Sequence, residues 1–209
     1  MDISKKIIIF VSNLKKNKLK SYIDMKKKIT IVIDMQNDFL TGTLANPDAV
    51  SIIPSVLEEI NKADFVIYTR DTHGDDYFET QEGKKLPVEH CIKHTWGWQI
   101  VDELVDPNSI PEIASSGNWI IVDKPTFGYV NIWNDDVFSQ IIKSYGQENV
   151  EVTFCGTCTD ICVVSNAMIV KSLYPEIVVN VKADACAGLT PDKHKAALNV
   201  MDSCQINVI

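Results

Sequence analysis

An acid, an ammonium and a thiol each stand directly behind a strand-like apolar run: Asp34 in IVIDMQNDF (31–39), Lys124 in IIVDKPTFGY (120–129) and Cys162 in CGTCTDICVVSNA (155–167). If the three runs are strands of one parallel sheet, the three groups meet at one edge of it. Together they form a hydrolytic set: the thiol attacks, the carboxylate moves the proton and the cation lowers the pKa of the thiol. Cys162 falls in the first turn of a helix expected from Asp160, where unpaired backbone N–H groups favour an anion, so a thiolate at neutral pH is expected. The run Gly156-Thr157-Cys158-Thr159 ahead of it can aim N–H groups at a developing oxyanion. Taken singly, each residue has an ordinary explanation, as a turn aspartate, a solvated lysine and a core cysteine. Their joint placement behind three strands is what points to a site.

A second constellation lies in one long polar segment. Asp71, His73, Glu82 and His90 follow a strand end, and three of the four histidines of the chain (73, 90, 94) fall within 22 residues. Mixed nitrogen and oxygen donors suit Zn²⁺, with Fe²⁺ or Mn²⁺ as alternatives. His94 either substitutes for one ligand or is solvated. The spacing of Cys155, Cys158 and Cys162 superficially matches an iron–sulfur or redox motif, but Cys155 falls inside a strand and no fourth cysteine is near.

The elements that must position these groups alternate from Ile29 onward. Apolar runs predict strands at Ile29–Asp34, Phe65–Arg70, Trp119–Asp123, Val150–Gly156, Ile177–Lys182 and Ile206–Ile209. Amphipathic segments predict helices at Ala49–Lys62, Trp98–Val105, 135–145, Asp160–Leu173 and Asp192–Ser203, with Asp71–His94 as a long functional loop. Repeated βα units with nearly all-apolar strands call for an α/β fold: a doubly wound, Rossmann-like parallel sheet of about six strands with helices on both faces. Ligands sit in such folds beyond the carboxyl ends of the strands, where the strand order reverses. That is the rim to which Asp34, Lys124 and Cys162 are assigned.

The chain of 209 residues, 45% apolar and 23% charged, suits one domain at 29–209 behind a lysine-rich extension at 1–28. The extension holds nine lysines against Asp2 and Asp24, a local charge of +7, which leaves −15 on the rest of the chain against a total of −8. So acidic a body disfavours nucleic acid as a partner. The leader's apolar run Ile7–Val11 is too short for a secretory signal, and no stretch approaches the ~20 apolar residues of a membrane helix, so a cytoplasmic protein with six reduced cysteines is expected. Residues 1–28 read as a peripheral extension, a basic surface-binding arm or sequence upstream of a truer start at Met25.

Together these residues resemble the isochorismatase-like cysteine hydrolases, and among them the nicotinamidases, over roughly residues 29–209. The family's Asp-x-x-x-Asp-Phe segment matches Asp34 to Phe39, its lysine after the third strand matches Lys124, and its Thr-Asp-x-Cys-Val segment matches Thr159 to Val163. The resemblance implies Asp34 as proton shuttle, a cis Thr157–Cys158 peptide, Cys158 and Cys162 N–H groups as oxyanion donors, and Phe39 and Phe127 as walls around a substrate ring. It implies a divalent metal on Asp71, His73, Glu82 and His90 that takes the pyridine nitrogen of nicotinamide, although Pro87 stands one residue further from His90 than is common in the family. The activity implied is hydrolysis of nicotinamide to nicotinate and ammonia through a cysteine thioester, in NAD salvage, by a homo-oligomer. Another amide or carbamoyl hydrolase of the family and a non-catalytic interaction protein are the alternatives.

Overall fold

Consecutive residues of a strand point to opposite faces, so a strand buried at every position needs cover on both. That condition holds in β1 (Lys27–Ile33), buried from Ile29 onward, and in β2 (Phe65–Asp71), where only Arg70 is half-buried. With β3 (Trp119–Lys124), β4 (Val150–Thr157), β5 (Val178–Ala187) and β6 (Asn207–Val208) they form one sheet in the order β3-β2-β1-β4-β5-β6, every pair parallel. The computed structural model describes residues 26–105, 117–134 and 137–209. The expected leader therefore lies outside the described residues apart from 26–28, and β1 begins two residues earlier than the apolar run suggested.

Strand order reverses between β1 and β4, the switch point at which a ligand is expected. Gly156 makes the close approach there possible. Its φ is +112°, and a Cβ on it would run into the Ile33 carbonyl oxygen of β1. Beside it Asp34, the residue just after β1, has φ of +48°, a left-handed turn that aspartate tolerates better than most residues.

The helices depart from expectation in informative places. The segment predicted as one helix from Ala49 divides into α2 (Pro47–Ser51) and α3 (Ile53–Asn61), after a short α1 (Asn37–Leu40); Pro54 has no N–H and cannot extend the preceding turn. The helix predicted at Trp98–Val105 is only a 3₁₀ turn at Asp102–Leu104, because the backbone pairs elsewhere: Asn37 N–H donates to Gln99 O (2.9 Å) and Val101 N–H to Met35 O (3.0 Å). The polar loop holds an unpredicted helix, α4 (Gln81–Lys85), capped by the Thr80 hydroxyl on Gly83 N–H. Then follow α5 (Val130–Asn134), α6 (Val137–Tyr145), α7 (Val164–Leu173) and α8 (Pro191–Ser203), the last capped by Thr190 with Pro191 in its first turn. No helix among the described residues is long and apolar enough to cross a membrane.

Candidate active site

Three strand ends deliver the predicted set. Lys124, last residue of β3, is fully buried, with Nζ 2.8 Å from Asp34 Oδ2, 3.3 Å from Asp71 Oδ1 and 3.4 Å from Cys162 Sγ. An ammonium taken out of water is tolerated only when opposite charges meet it at contact distance, and two buried carboxylates do so here. Asp34 Oδ1 accepts from the Thr69 hydroxyl (2.6 Å), and that hydroxyl in turn accepts from Asp34 N–H (3.2 Å). Oδ2 has the ion pair with Lys124 but no aligned hydrogen bond among the described residues, which leaves it a lone pair for a proton.

Burial and charge compete over the protons of this set. Burial pushes the Cys162 thiol well above its ordinary pKa, and the Asp34 carboxylate adds to this, against the opposing pull of Lys124. Cys162 also lies in a π-wound turn, Thr159–Val163, ahead of α7 and not in the first turn of the α-helix. Ionisation of the thiol thus rests on Lys124 working against burial and Asp34, without the help of an α-helix N-terminus. Burial also raises Asp34, opposed by Lys124 and reinforced by Asp71, so it is a stronger base than an exposed aspartate. Lys124 is held well above its usual value because Asp34, Cys162 and Asp71 outweigh the effect of burial. Asp71 goes the other way: despite burial, Lys124 and the two histidines hold it below the usual carboxylate range.

Asp71 joins this set to the second constellation. Donor atoms of Asp71, His73, Glu82 and His90 all lie within 4.8 Å of one another. His73 Nε2 is 3.1 Å from Asp71 Oδ2 and 3.8 Å from Glu82 Oε1, and His90 Nε2 is 3.7 and 3.8 Å from the same atoms. Ligands about 2.1 Å from a tetrahedral ion stand roughly 3.4 Å apart, a value these separations bracket. His90 Nδ1 lies 2.9 Å from Val88 O and so carries the hydrogen, leaving Nε2 with the lone pair a metal needs. Tyr77 packs edge-on against both imidazoles. The residues therefore fit a divalent ion with nitrogen and oxygen ligands.

One cavity of about 600 Å³ is lined at once by Cys158, Cys162, Asp71, Glu82, His90, Phe39 and Phe127. Phe39 packs against the His90 ring at 5.7 Å, whereas Phe127 is 45% exposed. The Thr157–Cys158 peptide at the base of the Cys162 turn is cis.

Residues 28–209 match the family described as the isochorismatase domain. The chain belongs to the isochorismatase family. Among its relatives is the nicotinamidase of Saccharomyces cerevisiae, 29% identical over 178 residues that cover 68% of this chain and 80% of the yeast protein. Of solved structures, the pyrazinamidase of Pyrococcus horikoshii in complex with zinc is 27% identical, with a TM-score of 0.66 over 88% of this chain and 98% of that one. The fold is shared with the pyrazinamidase/nicotinamidase of Streptococcus mutans at a TM-score of 0.71, 24% identity and 88% and 100% coverage.

Within this family member several residues hold the site without being legible as chemistry. Fully buried Gln36 clips the main chain of Asp71 from both sides: Oε1 accepts from Asp71 N–H (2.7 Å) and Nε2 donates to Asp71 O (2.9 Å) and Trp98 O (3.0 Å). Asp38 Oδ2 accepts from Cys91 N–H (2.8 Å), fixing the corner behind His90 where Cys91 takes φ of +49°. Glu82, a candidate from the sequence, reaches the donor group through the unpredicted α4, whose sequence signals were the cap Thr80 and the stop Pro87. His94 is exposed, packs on Trp98 and is absent from the donor group. Cys155 is buried in β4 with Sγ directed to Ile31 O (3.7 Å), and the cysteines form no metal-donor group among the described residues.

Proposed function

We propose that this isochorismatase-family protein is a metal-assisted nicotinamidase, hydrolysing nicotinamide to nicotinate and ammonia through a thioester on Cys162. The observation that carries the reading is the shared cavity, which sets the Cys162 thiol and the donors Asp71, Glu82 and His90 around a single space. Asp71, His73, Glu82 and His90 would hold Zn²⁺, or Fe²⁺ or Mn²⁺, which would supply Lewis acidity toward the ring nitrogen and positive charge beside Asp71. Phe39 and Phe127 wall the ring.

The chain's own residues carry the proton steps. Cys162 Sγ attacks the carboxamide carbon as its proton passes to Asp34 Oδ2, and Lys124 holds the two groups together through the transfer. N–H groups of Cys158 and Cys162 receive the developing oxyanion. Asp34 returns the proton to the departing nitrogen, releasing ammonia and leaving the acyl–sulfur bond. Asp34 then takes a proton from water as its oxygen attacks the thioester, and the C–S bond breaks with that proton restored to sulfur. The setting proposed with this activity is NAD salvage in the cytoplasm.

The test is ammonia release from nicotinamide by the purified protein, alongside Cys162→Ala and benzamide, before and after chelation and metal return. Release that vanishes in Cys162→Ala, falls on chelation and is far slower with benzamide supports the reading. Equal rates on benzamide would remove the ring nitrogen from the argument, and no release by the metal-loaded protein would remove nicotinamide.

A further inference from the structure

Asn166 lies on α7, four residues beyond Cys162, and is fully buried. A carboxamide offers two N–H donors and two acceptor lone pairs, and here all four are used. Nδ2 donates to Cys162 O (2.8 Å) and to Phe127 O (2.8 Å), while Oδ1 accepts from Tyr129 N–H (3.1 Å) and from Trp133 Nε1–H (3.0 Å). Two of its partners are thus the main-chain carbonyls of two residues that line the cavity, 35 positions apart in the chain.

Both partners need such a hook. Cys162 lies in the π-wound turn, where Cys158 O gathers the N–H groups of Ile161 and Val163 (3.1 Å each), so the winding changes to α just beyond the thiol. Phe127 lies on Pro125–Tyr129, a connection without helix or strand, and its ring is too exposed for packing to fix. Of the hydrogen bonds described for that connection, those of Phe127 O and Tyr129 N–H that leave it and the adjoining α5 both end on Asn166; the rest stay within it or reach Asn131 and Ile132 of α5. Gly128 presses on α7 at the same point, where a Cβ would meet Ile169 and Ser165.

We infer that Asn166 is a positioning residue that locks the Cys162 turn and the Phe127 wall to each other, so that a ring held by the wall presents its amide to the thiol. The inference rests on the reading of Cys162 as nucleophile and Phe127 as wall. The amide touches neither substrate nor sulfur; it acts through two backbone carbonyls.

The two arms can be separated by substitution. Asn166→Leu keeps the volume and loses both. Asn166→Thr keeps one, since a helical threonine hydroxyl can donate to the carbonyl four residues back, here Cys162 O, but cannot reach Phe127 O. For ammonia release from nicotinamide, Asn166→Leu is expected to raise KM and to lower kcat on the order of 10²-fold, as a displacement of about 1 Å does. Asn166→Thr is expected to restore kcat toward wild type while KM stays raised. Equal losses in both variants that track a lower thermal midpoint would mean a role in stability alone and would overturn the inference, as would wild-type kcat and KM in both. If Asn166→Leu does not fold, the Thr variant decides by the same split. Cys162→Ala in the same assay separates the two levels: turnover surviving there, or absent from wild type, overturns the nucleophile reading beneath the proposal.

Discussion

Arg70 and Asp71 leave β2 as consecutive residues and meet Asp123 and Lys124 of β3 in consecutive rungs. Each rung is an opposite-charge pair, yet the two sit in opposite surroundings. The Arg70–Asp123 pair is partly exposed, with Nη2 2.7 Å from Oδ1 and the guanidinium stacked 3.5 Å from the centre of the Trp98 ring. The Asp71–Lys124 pair is buried and shared with Asp34 and Cys162. Alternation of the pleat sends neighbouring side chains to opposite faces, so one residue's difference in position turns a partly exposed ion pair into a buried one in contact with Asp34 and Cys162. The lesson is that burial, not the identity of the pair, sets what these charges do.

The comparison breaks if the outer rung matters to turnover as much as the inner one. The largest effect belongs to Lys124→Met, which strands two buried carboxylates and leaves the thiol without its cation. Amide turnover should fall by about 10²–10⁴-fold, and urea denaturation should show a loss of about 3–5 kcal/mol. Alkylation of Cys162 at fixed pH should also slow, because the thiol's already raised pKa climbs further. Intact turnover in this variant would remove Lys124 from the mechanism.

Gln36→Leu sharpens the inner side of the comparison without touching a charge. It frees the main chain of Asp71, so chelator competition should report metal affinity weakened by about 10–100-fold, the scale for partners that orient ligands. Unchanged affinity would mean that β2 alone aims Asp71. The smallest effect is expected from Arg70→Gln, a partly exposed pair screened by solvent. Stability should fall by about 1 kcal/mol or less, with kcat and KM unchanged. A kcat loss comparable to that of Lys124→Met would abolish the distinction between the rungs.

Strand positions were legible because both-face burial writes continuous apolar runs, as in Ile29–Ile33 and Phe65–Thr69. From the strand ends, the meeting of Asp34, Lys124 and Cys162 followed by topology. The Trp98–Val105 segment was misread because its apolar spacing is genuine but its backbone is claimed by residues 35–37, which no local pattern reveals. The helix carrying Glu82 was too short to show a period. The contacts of Gln36 and Asn166 with Asp71 and Cys162 were invisible in the sequence, since a buried amide announces itself only through the backbone groups it meets.

By itself the sequence determined the alternation of elements, the parallel sheet and the residue types at its rim, all properties set by neighbours along the chain. Tertiary structure decided the burial that opposes ionisation of the thiol and the linkage of two clusters through Lys124 and Asp71. Those depend on a handful of distances between residues 37 to 128 positions apart, and on exclusion of water that turns such distances into large electrostatic effects.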